Sequence, residues 1–195
     1  MRTGAIVLTG GGARRLGGTD KASVEVGGST LLSHALSAAA SCAPVVVVGP
    51  TADAPPGVTF AREEPAGGGP VAGIAAGLHA LDLSGFHDDV PSHVLVLACD
   101  MPHAREAVPA LMAAVATQRH DDGAWGVDPA GRRQPLLALY RRESLRRALE
   151  ELGEPQGASM RALASGLTMM DVPVGHAARD ADTWDDVLAL REEWA

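Results

Sequence analysis

The chain has 195 residues, is 46% hydrophobic and carries a formal net charge of −8. That length and composition suit one α/β domain, residues 1–195, with a core of its own, and exclude a disordered chain. The acidic balance argues against a reader of nucleic-acid backbones, yet leaves room for nucleotide binding, because a few local cations and Mg²⁺ offset it.

The chain opens on an apolar β-type run, Ala5 to Thr9, that ends in glycines. This run is too short for the hydrophobic region of a secretory leader. Leu31, Leu32, Ala35, Leu36 and Ala39 then recur at helical spacing. Val45 to Val48 is wholly β-branched, as expected of a strand buried on both faces. Thr59 and Phe60 suggest a short strand, and Gly69-Pro70 starts a helix over Val71 to Leu83. His93 to Ala98 is a second buried-strand candidate, and Ala107 to Val115 reads helical. Ala124 to Val127 and Leu136 to Tyr140 flank the turn sequence Asp128-Pro129-Ala130-Gly131, which predicts a hairpin. Helices around Glu143 to Leu152, Met160 to Ala164 and Thr183 to Trp194 complete the pattern. Strands alternating with helices imply a mostly parallel sheet in a Rossmann-like three-layer α/β/α sandwich, the hairpin being a small antiparallel addition. Ligands in such sheets bind outside the carboxyl ends of the strands.

Cys42 and Cys99 form no CxxC pair, which argues against a disulfide framework and a structural zinc site. Both read as small buried hydrophobes of a reducing compartment. No stretch is long and apolar enough to span a bilayer. The expectation is a cytoplasmic protein with neither membrane nor nucleic acid as partner.

After the first strand comes Thr9-Gly10-Gly11-Gly12-Ala13-Arg14-Arg15-Leu16-Gly17-Gly18-Thr19-Asp20-Lys21. The dinucleotide fingerprint fails here, because Arg15 stands where its third glycine belongs. The Walker loop fails too, because Gly18 follows Gly17 where a lysine belongs. What remains is a long glycine loop carrying Arg14, Arg15 and Lys21. Residues without Cβ let backbone N–H groups approach phosphate oxygens. Guanidinium holds such oxygens bidentately, and lysine adds a movable point charge. The competing reading is a solvated glycine turn with incidental cations.

In this loop Leu8, Gly10, Gly11, Arg15, Leu16, Gly17 and Lys21 fall in register with the opening motif of the molybdenum cofactor guanylyltransferases, which the chain resembles; Thr9 replaces the usual alanine. Downstream, Gly69-Pro70-Val71-Ala72-Gly73, Cys99-Asp100-Met101-Pro102 and Gln134-Pro135-Leu136 resemble three further motifs of that family in the same order. The resemblance implies a fold of the nucleotide-diphospho-sugar transferase type. It implies that Leu8, Thr9, Gly10, Gly11, Gly12, Arg15 and Lys21 wrap and neutralise a triphosphate, with Gly69 and Asp100 also at the nucleotide. It further implies GTP as donor, a molybdopterin-type phosphorylated acceptor, and transient contact with cofactor-biosynthesis or acceptor enzymes.

Asp100 follows the strand ending at Ala98, so it sits at a carboxyl strand end. Mg²⁺ needs only one or two carboxylates beside substrate phosphates and water, and the resemblance gives Asp100 that role. The alternative is an aspartate serving the turn before Pro102. Asp182, in Asp180-Ala181-Asp182-Thr183, is a second candidate ligand where the family carries asparagine. Its competitor is an N-cap at Asp182 or Thr183, with Asp185 and Asp186 near the helix start.

The family reads guanine partly through an aspartate after the third strand; a carboxylate accepts from N1–H and the exocyclic amine together. Here Glu64 stands nearest that position and the spacing to Gly69 also admits Glu63, while Val48 occupies a place where many relatives carry asparagine.

The reaction implied is in-line attack of an acceptor phosphate oxygen on the α-phosphorus, with pyrophosphate leaving. A phosphate monoester has its second pKa near ~6 and is mostly dianionic at neutral pH, so it needs little general-base help. Rate enhancement then comes from positioning and charge neutralisation by Mg²⁺, Asp100, Arg15 and Lys21. Of Arg132, Arg133, Arg141, Arg142 and Arg161, the last is the candidate for receiving the anionic acceptor. His87-Asp88-Asp89 and His120-Asp121-Asp122 read as polar loop clusters. Cytidylyl or sugar-phosphate nucleotidyl transfer is one alternative, and a nucleotide-binding regulator without catalysis is another.

Overall fold

The computed structural model describes residues 1–10, 20–50, 55–83, 90–117 and 121–194. Arg14, Arg15, Gly11, Gly12, His87 and His120 therefore lie outside the described residues.

A seven-stranded sheet organises the chain, in the order β5-β4-β1-β6-β8-β7-β9. These strands are β1 Thr3–Leu8, β4 Val45–Val48, β5 Val58–Ala61, β6 His93–Ala98, β7 Gly123–Val127, β8 Arg133–Arg141 and β9 Met169–Pro173. β1 pairs in parallel with both β4 and β6, and β4 with β5. β8 is antiparallel to both β6 and β7, while β9 runs parallel to β7. The predicted hairpin is therefore real, and its second strand, β8, pairs with β6. β9 was not anticipated: Met169-Met170-Asp171-Val172-Pro173 is half-exposed edge and lacks a long apolar run.

Alternate residues of the central strands face opposite layers, because the side-chain period of a strand is two. Ala5, Val7, Val47, Leu95 and Leu97 pack with α1 Leu31–Ala38 and α3 Ala104–Thr117. Ile6, Leu8, Val46, Val48, Val94 and Val96 pack with α2 Pro70–Leu83 and α4 Arg142–Leu152. The three-layer α/β/α arrangement is thus written into continuous apolar strands that need cover on both sides. α2 lies close to β1: a Cβ on Gly77 would come within 2.7 Å of Ile6 Cγ2.

A two-stranded hairpin stands apart from the main sheet, with β2 Glu25–Val26 and β3 Ser29–Thr30. Gly27 and Gly28 take φ of 57° and 77°, the pair of positive values that a tight two-residue hairpin turn demands. Val24, Val26 and Leu31 bury against Ala181, Val187 and Leu190, so the hairpin is clasped by the last helix, α6 Trp184–Glu193. A short helix, α5 Met160–Leu163, and 3₁₀ turns at Lys21–Ser23, Ala164–Gly166 and Gly175–Ala178 complete the described structure. No helix among the described residues is long and apolar enough to cross a membrane.

Candidate active site

Three strands end together. Leu8 is level with Val48 on one side and with Ala98 on the other. Thr9, Gly49 and Cys99 therefore leave the sheet along one edge. Thr9 donates both its N–H and its hydroxyl to the Val48 carbonyl, at 2.9 and 3.1 Å, and Cys99 N–H donates to the Leu8 carbonyl at 3.0 Å. These bonds fix the start of the glycine loop against Asp100.

Lys21 reaches this edge from the far side of the loop. The Asp20 carboxylate accepts from Ala22 N–H and caps the 3₁₀ turn at Lys21–Ser23. Lys21 is only 5% exposed; its Nζ donates to Asp100 Oδ2 at 2.7 Å and to Asp182 Oδ1 at 2.6 Å. Burial opposes the charged ammonium, but the Asp100 and Asp182 carboxylates outweigh it and hold the Lys21 pKa above its ordinary value. Asp100 Oδ1 is buried with no hydrogen-bond partner. Ala181 N–H donates to the Asp100 carbonyl at 2.8 Å, which ties the two acidic segments together. Burial, then the neighbouring Asp182 and Asp100 carboxylates, raises the Asp180 pKa.

The competition for Asp182 resolves locally. Thr183 is the N-cap of α6, in a capping box with Asp186: Asp186 N–H donates to Thr183 Oγ1 at 3.2 Å and Thr183 N–H to the Asp186 carboxylate at 2.8 Å. The cap is thus filled by Thr183, and the Asp182 side chain turns to Lys21.

Leu8, Thr9, Gly10, Lys21, Pro70, Cys99, Asp100 and Asp182 line a cavity of about 120 Å³. Leu8, Gly10 and Pro70 also line a second cavity of about 130 Å³ that runs to Val48, Glu63, Gly67, Gly69 and Gly73. The two share a wall, so a groove leads from Glu63 past the N-terminus of α2 to Lys21. A Cβ on Gly73 would meet Leu8 Cδ2 at 3.0 Å, and a glycine there keeps the helix low over the groove.

The two glutamates offered for the base are placed differently. Glu64 is exposed and lies outside the groove's lining; Glu63, half-buried, lines it and accepts from Gly67 N–H at 3.1 Å. β5 ends at Ala61 and the chain bends at Glu64, which parts the two neighbouring side chains. Arg161 does line a cavity, of about 570 Å³, with Trp125, Arg133 and Met169. A separate cavity of about 600 Å³ carries Arg132, Arg133, Arg179 and Asp180, and Arg179 there was not anticipated. Arg142 is instead tied to Asp82 of α2.

One signal in the sequence would have isolated the centre of this site. Lys21 is the sole lysine; every other residue in the Lys-plus-Arg total of 16 is arginine.

A family model of the MobA-like NTP transferase domain matches residues 5–170. The chain belongs to the MobA-like NTP transferase family. Among curated members, a molybdenum cofactor guanylyltransferase of Bradyrhizobium sp. is 33% identical across 74% of this chain and 70% of its own. A probable molybdenum cofactor guanylyltransferase of Nostoc sp. is 30% identical across 97% and 91%. In fold, the chain is similar to molybdopterin-guanine dinucleotide biosynthesis protein A from Archaeoglobus fulgidus, with TM-score 0.65, 22% identity and 97% of each chain covered. It is also similar to 2-C-methyl-D-erythritol 4-phosphate cytidylyltransferase from Thermus thermophilus, with TM-score 0.68, 21% identity, and 100% and 99% covered. The MobA-like chain is accordingly a nucleotidyltransferase of Rossmann-like fold.

Proposed function

We propose that this enzyme transfers GMP from Mg–GTP to a phosphorylated molybdopterin-type acceptor in the cytoplasm, releasing pyrophosphate. The observation that carries the reading is the buried Lys21–Asp100–Asp182 cluster at the common carboxyl end of β1 and β6, continuous with a groove ending at Glu63. Family membership supplies the reaction class, and the curated relatives' names motivate the choice of donor and acceptor.

The residues fit a hard divalent cation. Two carboxylates converge on one point, one oxygen of Asp100 is buried without a partner, and an ammonium already occupies the place of positive charge between them. Mg²⁺ would be held by Asp100 and Asp182 and would supply neutralisation of the triphosphate's developing charge. Lys21, displaced from the carboxylates, turns its ammonium to the phosphate oxygens and then to the departing pyrophosphate. Gly10 offers its backbone N–H without a side chain in the way; a Cβ there would meet nothing within 4 Å. Glu63 accepts from guanine N1–H and the exocyclic amine. Arg133 and Arg179 receive the anionic acceptor in the cavity that reaches Asp180.

The test is pyrophosphate release with GTP, CTP, ATP and UTP, each with and without molybdopterin. Release confined to GTP plus molybdopterin is expected, and Asp100→Ala abolishes it while the protein still unfolds cooperatively. Release with CTP instead assigns the cytidylyl branch. Mg–GTP binding without any release makes the chain a regulator.

A further inference from the structure

A second group of ligand-type side chains stands apart from the Lys21 cavity. His103 immediately precedes α3, Glu106 lies in its first turn, and His176 comes from the turn at Gly175–Ala178. One donor atom from each of the three lies within 4.8 Å of the others. The Glu106 carboxylate faces both rings, with Oε1 3.2 Å from His103 Nδ1 and Oε2 2.9 Å from His176 Nε2. The His103 side chain is 13% exposed, and its other nitrogen, Nε2, is buried with no hydrogen-bond partner. The nearest acidic oxygen to that nitrogen is Glu193 Oε2, 3.5 Å away. Trp194 stacks on the His103 ring, 4.3 Å between centroids and 2° from parallel, which fixes the ring's orientation.

A neutral imidazole carries one proton and one lone pair in its plane. With the proton on Nδ1, toward Glu106, the lone pair of Nε2 is aimed at the Glu193 carboxylate. With the proton on Nε2, the lone pair of Nδ1 is aimed at Glu106. Either tautomer sets a lone pair against a carboxylate. Either a second ring proton or a cation on Nδ1 removes the conflict; with the cation, Nε2–H faces Glu193 Oε2 at 3.5 Å, a carboxylate standing behind a ligating histidine.

We propose that His103 Nδ1, Glu106 and His176 Nε2 form a binding site for a divalent transition metal, Zn²⁺ being the ion whose preferences they match. Two imidazoles and one carboxylate suit zinc far better than Mg²⁺, which takes oxygen ligands. Tetrahedral zinc bonds of about 2.0–2.1 Å set donor atoms on the order of 3.3 Å apart; here one donor from each residue lies within 4.8 Å of the others, so modest side-chain movement closes them on the ion. Water completes the fourth position, since His176 and Glu106 face solvent. The metal joins two segments that also serve the transfer site. Asp100 precedes His103 on one, and Asp182 follows His176 on the other. It is therefore a clip that stiffens both carboxylate-bearing loops. Its ligands are not cysteines, so counting cysteines could not reveal it.

The test uses the full chain, stripped with EDTA and exchanged into buffer with saturating Mg²⁺, so that the Asp100–Asp182 site is occupied. Zn²⁺ is then titrated by calorimetry, and Co²⁺ is used in parallel for its visible ligand-field bands. We expect one Zn²⁺ per chain and a rise in Tm, together with the intense bands of low-coordinate Co²⁺. His176→Ala and Glu106→Gln, both at exposed positions, each weaken zinc by at least about tenfold, in line with what even outer-shell changes do to metal affinity, and lose the Tm rise. Asp100→Ala retains zinc. Absence of zinc binding by the wild type, or zinc binding unchanged in His176→Ala, or lost in Asp100→Ala, overturns the site. In the first of these cases His103 is held between Glu106 and Glu193 by protons instead of metal. Pyrophosphate release from Mg–GTP is measured separately, so the clip and the transfer reaction fail independently.

Discussion

Replacing Lys21 by methionine keeps the aliphatic stem and removes the charge. In the wild type the ammonium is shared between Asp100 and Asp182, which are 21% and 38% exposed, while Lys21 is almost wholly covered. Removing one partner of a fully buried ion pair costs about 3–5 kcal/mol, and a surface pair about 0–1 kcal/mol. Water reaches both carboxylates here, so an intermediate loss of about 2 kcal/mol follows from those limits. For a chain of this length that lowers Tm by about 4–8 °C. Mg²⁺ then separates this arrangement from ordinary loss of a contact. In the wild type a Mg²⁺ held by both carboxylates would take the ammonium's place; in Lys21→Met no ammonium bridges them and they repel each other. Mg²⁺ alone therefore raises the Tm of Lys21→Met more than that of the wild type. Turnover moves the other way, because the triphosphate has lost a preorganised cation: kcat/KM falls by about 10²–10³-fold, as for the loss of one transition-state donor. The assays are thermal unfolding against a Mg²⁺ series and continuous pyrophosphate release. An equal Mg²⁺ response in the two proteins, joined to wild-type kinetics, refutes the reasoning.

Lys21→Arg retains charge and recovers stability, yet recovers less than a tenth of the lost turnover, because the guanidinium stays forked onto the two carboxylates; full recovery of kcat/KM would contradict this. Glu63→Gln narrows the GTP-over-ATP ratio in kcat/KM by about tenfold, the worth of one charged acceptor, whereas Glu64→Gln leaves it unchanged; the reverse order would restore Glu64 as the base reader. Asp122 is opposed by burial but bonded by Ser144, by Thr168 N–H and by Arg147, so its pKa lies below 3.8. It therefore stabilises the fold above pH 3.8 and loses that contribution as pH falls through the depressed value; denaturant titrations from pH 5 to 2 should show a flatter acid limb for Asp122→Asn. Burial pushes the Cys99 thiol far above its ordinary range and Cys42 up to about 11, so iodoacetamide at pH 8 should modify neither in the native state; labelling at a rate unaffected by denaturant would contradict it.

The strand–helix alternation was legible because hydrophobic runs such as Val45 to Val48 and His93 to Ala98 can be satisfied only between two layers. Two elements escaped for opposite reasons. β9 is a half-exposed edge whose pairing partner, β7, lies over forty residues away, so nothing local announces it. The β2–β3 hairpin did announce itself, through Val26-Gly27-Gly28-Ser29, but its strands are two residues long and give no alternation to count. At the site, Asp100 was readable from its place after a buried strand, whereas for Asp182 the sequence left a ligand role and a helix cap both open. Whether Asp182 or Thr183 caps α6 depends on which backbone N–H groups they face, and only the folded capping box shows Thr183 taking that work. Glu63 against Glu64 turned on how the chain bends after β5, which spacing to Gly69 cannot answer. The His103–Glu106–His176 group joins residues seventy apart, and no single stretch of sequence contains it.

The chain's use of basic residues bears on why Lys21 stands where it does. Arginine fills every other cationic position, and several hold fixed pairs: Arg132 with Asp128, Arg142 with Asp82, Arg146 with Glu143. A guanidinium suits such fixed pairs, since its planar fork matches a carboxylate and gains from both contacts. A compact ammonium on a flexible stem holds two carboxylates loosely enough to change partners. In a cavity of about 120 Å³ shared with Asp100 and Asp182, the resident cation offsets the repulsion between the carboxylates, and under the proposed function it would leave them for the phosphates of a bound metal–triphosphate. Beside the two carboxylates its pKa is raised, so it is charged there. The same group can therefore stabilise the empty fold and, after moving to the phosphate side of the groove, the charge that develops on the leaving pyrophosphate.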